Sequence, residues 1–252
     1  MEKYRIGLFI PCYIDLFYPK AGVATLRILE KLGQNVAYPQ RQTCCGQPLA
    51  NGGAEREAEA CHKHFVKCFS GFDYIVTPSG SCCYHVKHNY DRLEKTETTD
   101  KIRNNIYELC DFIKGVLRVD CIPGASFPHR VGVHKSCHGL RGLRSGSASE
   151  LVETRYSNLR SLLEKVEGIE IADLDREDEC CGFGGTFSIF EPEVSVRMGC
   201  DRVADHARQG VEFITACDMS CLMHMEGIIR RQRLGMKVIH AAQILCGEKE
   251  VL

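Results

Sequence analysis

Residues 5–12 read RIGLFIPC and residues 130–137 read RVGVHKSC: in each, a basic residue opens a short β-rich apolar run that closes on a cysteine. Each reads as a strand ending in Cys12 or Cys137. The match continues downstream. Residues 43–47 (TCCGQ) and 179–183 (ECCGF) each follow a short strand-like run, 36–38 in one case and 169–174 in the other. Residues 74–82 (YIVTPSGSC) then correspond to 213–221 (FITACDMSC). Three cysteine-bearing landmarks occur twice in one order, so an internal repeat governs the architecture.

Between landmarks, apolar residues recur at spacings of three and four, the period of a helix with one buried face. Residues 21–32 present Leu26, Ile28, Leu29 and Leu32; the counterpart, 148–166, presents Leu151, Leu159, Leu162, Leu163 and Val166. Residues 55–69 and 191–209 form a second pair, the latter opening on Glu191 and Pro192 as a helix N-terminus does. Residues 106–117 (IYELCDFIKGVL) and 238–246 (VIHAAQILC) read as short amphipathic helices closing each half, and the polar stretch 90–104 reads as a loop. Residues 121–128 (CIPGASFP) read as a linker, which divides the chain into an N-terminal domain, 1–125, and a C-terminal domain, 126–252. Alternation of this kind predicts an α/β fold: two pseudo-twofold-related Rossmann-like lobes with parallel sheets and crossover helices, each carrying a CCG motif. The cysteines then lie at the C-terminal ends of strands, where open α/β sheets place ligands.

The composition agrees with a folded chain. Of 252 residues, 44% are hydrophobic and 26% charged, and Lys+Arg 32 against Asp+Glu 33 leaves a net charge of −1. That balance carries no basic footprint for nucleic acid. No apolar run approaches the roughly 18 residues of a transmembrane segment. Lys3 and Arg5 precede the apolar run 6–11, but the run is too short for a secretory signal and Asp15 follows it closely. The expected compartment is therefore the cytoplasm, where thiols stay reduced and 16 cysteines point to metal or redox chemistry before disulfides.

The repeat sorts those cysteines. Cys12, Cys44, Cys45 and Cys82 form the first candidate ligand set, with Cys83 adjacent; Cys137, Cys180, Cys181 and Cys221 form the second, with Cys217 four residues before the last. Thiolates converging from separate strand ends suit a soft metal centre, zinc or iron–sulfur. Gly46 and Gly182, after each Cys-Cys pair, let the backbone turn closely and free amides towards sulfur. Cys61, Cys68, Cys110, Cys121, Cys200 and Cys246 lie outside the repeat and read as buried packing residues. His134 and His138 bracket Cys137 and His224 follows Cys221 by one turn; flanking or hydrogen-bonded roles are the ordinary reading of each, ligation the sharper one. Lys135, Arg141 and Arg144 read as a solvated basic loop. The glycines of CCGFGG lack the Gly-Lys-Ser/Thr ending of a phosphate loop, and no flavin or nicotinamide motif is present.

The phrases FIPCYIDLFYP, TCCGQP, PSGSC, CCGFGGTFS and DMSCLMHM resemble the cysteine-rich CCG-domain family of iron–sulfur proteins. That family includes the CCG-bearing subunit of heterodisulfide reductase and the iron–sulfur subunits of glycolate and anaerobic glycerol-3-phosphate dehydrogenases. With two repeats on one chain, the sequence is most similar to the lactate-utilisation A branch, one component of a three-protein system for oxidising L-lactate. The resemblance implies a [4Fe-4S] cluster on each cysteine set, noncubane in heterodisulfide reductase. The terminal cysteines depart from the family's Cys-x-x-Cys: Cys217 and Cys221 have three residues between them, and the first half has Pro78 and Ser79 there. A conventional [4Fe-4S] cluster on four cysteines, or one cluster beside a vestigial or zinc site, fits the count equally.

The resemblance implies an iron–sulfur subunit that passes electrons while lactate becomes pyruvate, acting with other lactate-utilisation subunits, one of them ferredoxin-like. Whether this chain is itself catalytic stays open. A thiol–disulfide reductase subunit like that of heterodisulfide reductase, and a zinc-stabilised non-enzymatic assembly protein, are the other readings.

Overall fold

Strand β1 (Arg5–Leu8) is the centre of the first half: three of its four residues are buried, so it accepts neighbours on both edges. It pairs in parallel with β2 (Asn35–Ala37) and β3 (Tyr74–Thr77), and β3 pairs with β4 (Ile106–Glu108), giving the order β2-β1-β3-β4. The second half repeats this as β6-β5-β7-β8, from β5 (Arg130–Val133), β6 (Glu170–Ala172), β7 (Phe213–Ala216) and β8 (Lys237–His240). The computed structural model describes residues 2–248. Both sheets are wholly parallel, as strands joined by crossover helices must be.

Four sequence expectations need correction. Residues 106–117 and 238–246 each begin as a strand, β4 or β8, and turn helical only afterwards, at Leu109–Asp111 and Ala241–Cys246. A three- or four-residue apolar run has no period by which to tell strand from helix. The helix expected over 148–166 is confined to Asn158–Leu163, capped by the Ser157 hydroxyl. Upstream, the Ser147 hydroxyl donates to Thr154 O and accepts from Tyr156 N, a local bonding pattern that competes with helix. The polar stretch 90–104 is not all loop, because Thr96 and Thr99 form a capping box that starts the helix Glu97–Asn105. Lys135 is held rather than solvated, its Nζ 2.9 Å from both Glu177 and Asp178, whereas Arg141, paired with Glu150 at 2.9 Å, and Arg144 stay exposed as read.

The halves exchange their closing elements. The helix Ala241–Cys246 of the second half packs on Pro19–Lys31 of the first, and Leu109–Asp111 of the first packs on Asn158–Leu163 of the second. One continuous core results, running from Ile6, Leu8 and Ile28 to Ile214, Ile244 and Leu245. A second cluster, rich in aromatics, has its buried residues in the first half, among them Phe9, Phe65, Phe69 and Tyr90, with Leu143 of the second half packed against it. On the pseudo-twofold axis Ser79 and Asp218 meet in an isolated antiparallel bridge. The C-terminal ends of both sheets consequently face one another.

Candidate metal centre

Each lobe delivers its cysteines by the same three devices. The first is the turn after the central strand: Cys12 opens the helix Cys12–Phe17, and Cys137 immediately precedes the π-helical turn His138–Gly142. The second is the loop after the edge strand, which carries Cys44-Cys45 and Cys180-Cys181. Here the chain reverses at Gly46 (φ 89°) and Gly182 (φ 86°), a left-handed conformation that favours glycine. The reversal aims an amide at sulfur: Gly46 N donates to Cys44 Sγ at 3.4 Å and Gly182 N to Cys180 Sγ at 3.3 Å. The third is the first turn of the helices Gly80–His88 and Met219–Gln232, which carries Cys82 and Cys221.

These devices bring all eight repeated cysteines to the wall of one cleft of about 210 Å³ between the lobes. In the first set the sulfurs form a chain of contacts, Cys12 to Cys44 to Cys45 to Cys82, with Cys45 Sγ and Cys82 Sγ 3.5 Å apart. The second set repeats it as Cys137, Cys180, Cys181 and Cys221. Between the sets lies the buried Asp218, which accepts from Ser81 N at 2.7 Å, Ser81 Oγ at 3.1 Å and Ser220 Oγ at 2.9 Å. Tyr13 and Phe183, on opposite lobes, meet edge to face with ring centres 6.0 Å apart.

The electrostatics of each set suit a cation. Contact with the sulfurs of Cys12 and Cys45, together with the Gly46 amide, holds the pKa of Cys44 down at about 2. Cys137, Cys181 and the Gly182 amide do the same for Cys180, also at about 2. Cys12, Cys45, Cys137 and Cys181 are pushed the other way by contact with the neighbouring cysteine and by burial, because losing their protons would crowd several charges into one buried space. Cys44 and Cys180 are thus held as thiolates beside thiols, Cys12 and Cys45 or Cys137 and Cys181, that resist ionising unless positive charge enters, which suits a metal-binding thiol cluster. All-sulfur donors at contact distance fit zinc or iron–sulfur and do not fit a hard cation.

Two further candidates lie elsewhere. Cys83 is buried in the aromatic core of the first lobe. Cys217 turns away from Cys221 to meet Cys110, sulfur to sulfur at 3.6 Å, and the carboxyl of Glu108. Burial raises Glu108 to a pKa of about 8. Of the histidines, His224 bonds Ser195 O at 3.3 Å. His138 lines the cleft, against the ring of Tyr84. His134 is fully buried, and its ligand nitrogen groups with the sulfurs of Cys181 and Cys221, all within 4.8 Å of one another. Sequence reasoning gives His134 no priority because its side chain belongs to the strand end, not the loop beyond; a polar side chain in a strand that is otherwise apolar is the available signal.

A fold of two parallel α/β lobes with a Cys, a Cys-Cys-Gly and a Cys at matching strand ends defines a class of cysteine-rich domain, and comparison with known proteins agrees. The chain belongs to the CCG family, "Cysteine-rich domain", whose signature matches residues 6–87 and 131–226. It is similar to Lactate utilization protein A of Geobacillus thermodenitrificans (strain NG80-2), 37% identical over 246 residues that cover 96% of this chain and 98% of the relative. The protein of the same name from Shouchella clausii (strain KSM-K16) is likewise 37% identical, with 96% and 98% covered. Among solved structures, a hypothetical protein from Helicobacter pylori shares the fold at a TM-score of 0.52 and 10% identity, covering 97% of this chain and 49% of that one.

Proposed function

We propose that this chain is the iron–sulfur, electron-carrying subunit of a cytoplasmic system that oxidises L-lactate to pyruvate. The observation that carries the reading is the convergence of two complete four-cysteine sets on a single cleft; the lactate assignment rests on the relatives' name. In this reading Cys12, Cys44, Cys45 and Cys82 hold one centre and Cys137, Cys180, Cys181 and Cys221 the other. A bound cluster supplies one-electron chemistry, at a potential set by ligation, hydrogen bonds to sulfur and exposure. The protein supplies the rest. The amides of Gly46 and Gly182 donate to the ligands, and Asp218 with its serine donors fixes the spacing of the two sets.

Hydride chemistry falls to partner proteins, one of them ferredoxin-like. Exposed apolar side chains lie on the short helices that follow the cysteine turns, Leu16 and Phe17 after Cys12 and Ile189 and Phe190 after Cys181, which suits docking of such partners. Among the described residues no helix is long and apolar enough to cross a membrane. Because the cleft lies between both sets, thiol–disulfide reduction is the second reading, distinguished by reduction with a disulfide instead of with lactate and the partner proteins.

The test is iron, zinc and acid-labile sulfide content with EPR on anaerobically purified protein, beside Cys45→Ser and Cys181→Ser. The expected result is iron with sulfide, lost from one centre in each variant. Stoichiometric zinc without sulfide would replace the redox reading with a structural one.

A further inference from the structure

The two lobes differ beside their sulfur sets at a matched position next to the central strand. Phe9 and His134 occupy the same position: each directly follows the central strand, and its N–H bonds the adjacent strand, Phe9 N to Val76 O at 2.9 Å and His134 N to Thr215 O at 2.8 Å. In the first lobe Phe9 packs edge to face with Phe65 and Phe69. In the second lobe the corresponding helix, Pro192–Arg208, presents Arg202 and His206 instead, both fully buried. The strand glycines fix this register. A side chain on Gly7 would meet Phe69 at 2.8 Å, and one on Gly132 would meet His206 at 2.2 Å. Four residues earlier on each helix stand Phe65 and Arg202.

Exchanging three aromatics for a guanidinium and two imidazoles costs desolvation and gains nothing in packing. The exchange is ordered towards the sulfurs. Arg202 Nη1 donates to Arg176 O at 2.6 Å and Asp205 Oδ2 at 3.1 Å, while its Nε donates to His134 Nδ1 at 3.2 Å. A guanidinium has no acceptor, so Nδ1 accepts and the imidazole proton sits on Nε2. That Nε2 is buried and has no hydrogen-bond partner among the described residues. A ring nitrogen of His134 lies within 4.8 Å of the sulfurs of Cys181 and Cys221, and Nδ1 is the one that Arg202 holds. In the first lobe the buried histidines His62 and His85 bond each other, Nε2 to Nε2, at 3.2 Å.

Building on the iron–sulfur reading, we propose that His134, oriented by Arg202, donates its Nε2–H to the sulfurs of the second set, so that the two centres of this chain differ and the second is the stronger electron acceptor. A donor aimed at sulfur offsets the negative charge that reduction adds, and so favours the reduced form. At the matched position the first set has Phe9, which offers no donor; its nearby imidazoles, His62 and His85, are bonded to each other. An electron entering the chain therefore comes to rest in the second lobe, which gives transfer through the molecule a direction.

EPR-monitored redox titration of the anaerobically purified protein tests this, with Cys181→Ser leaving the first centre and Cys45→Ser the second. Iron content is read first, and an iron-free wild-type chain overturns the parent reading before any potential is compared. With iron present, the second centre should reduce at the higher potential. His134→Phe should lower its reduction equilibrium about tenfold, ~59 mV for one electron, and leave the first centre unchanged. His134→Gln, which keeps an N–H donor, should recover most of the shift. Equal potentials in the two lobes, or an iron-loaded His134→Phe protein with no shift, overturns the inference. Loss of second-lobe iron in both His134 variants also overturns it, by making the residue a ligand.

Discussion

Gly46 and Gly182 do the same work at matched places, yet the structure gives them unequal tolerance. Both sit at left-handed φ, 89° and 86°. A Cβ on Gly46 would meet the side chain of His62 at 2.9 Å, whereas one on Gly182 would meet the backbone oxygen of Ser195 at 2.5 Å. Backbone in a helix yields less than a ring does. Gly182→Ala should therefore cost more stability than Gly46→Ala, about 2–3 kcal/mol against about 1 kcal/mol. It should also lower metal retention in the second set alone. Denaturant melts and metal analysis of the two variants check both expectations; equal losses would show that the Cys-Cys-Gly turns relax freely.

At the scale of elements, the fourth strands matter most, because each ends on a residue that caps a helix crossing to the other lobe. His240 Nδ1 accepts from Ala242 N at 3.1 Å, and its ring reaches Pro78 O at 3.0 Å. The matching residue at the end of β4, Glu108, accepts from Cys110 N at 2.8 Å and Asp111 N at 3.3 Å. The carboxyl is buried beside the thiols of Cys110 and Cys217. Burial raises the Glu108 carboxyl from 4.5 to about 8, so the folded state holds a proton that the unfolded chain releases. Folding then favours the protonated form, and stability falls as pH rises from about 4.5 towards 8. Glu108→Gln should remove much of that fall. Thermal melts at pH 5 and pH 8 should show the variant gaining on wild type at the higher pH, by a few kcal/mol at most; a constant difference would mean that Glu108 is not the titrating group.

For the whole molecule, the shared core is decisive. Ile6, Ile28, Ile214 and Leu245 belong to one cluster, and each half lends its closing helix to the other. Fragments 1–125 and 126–252, expressed singly, should each be poorly folded for want of partner surface. Together they should reassemble, and the intact chain should melt in one transition; circular dichroism on the fragments and their mixture reads this directly. Much of this architecture is legible in the chain, because a repeat is a statement about spacing. RIGLFIPC against RVGVHKSC and TCCGQ against ECCGF locate six of the eight sulfurs and the parallel strands without reference to any contact. Local sequence also contains enough chemistry to nominate all-thiolate ligation. It does not reveal β4 and β8, whose three or four residues have no readable period and become strands only by pairing with β3 and β7. Nor can it assign Cys217 to Cys110 or His134 to Cys181 and Cys221, since these neighbours lie 107, 47 and 87 residues apart in the chain. Periodicity and motif spacing are properties of a line. Which sulfur faces which, and whether two similar centres share one environment, is settled by how two sheets close on each other.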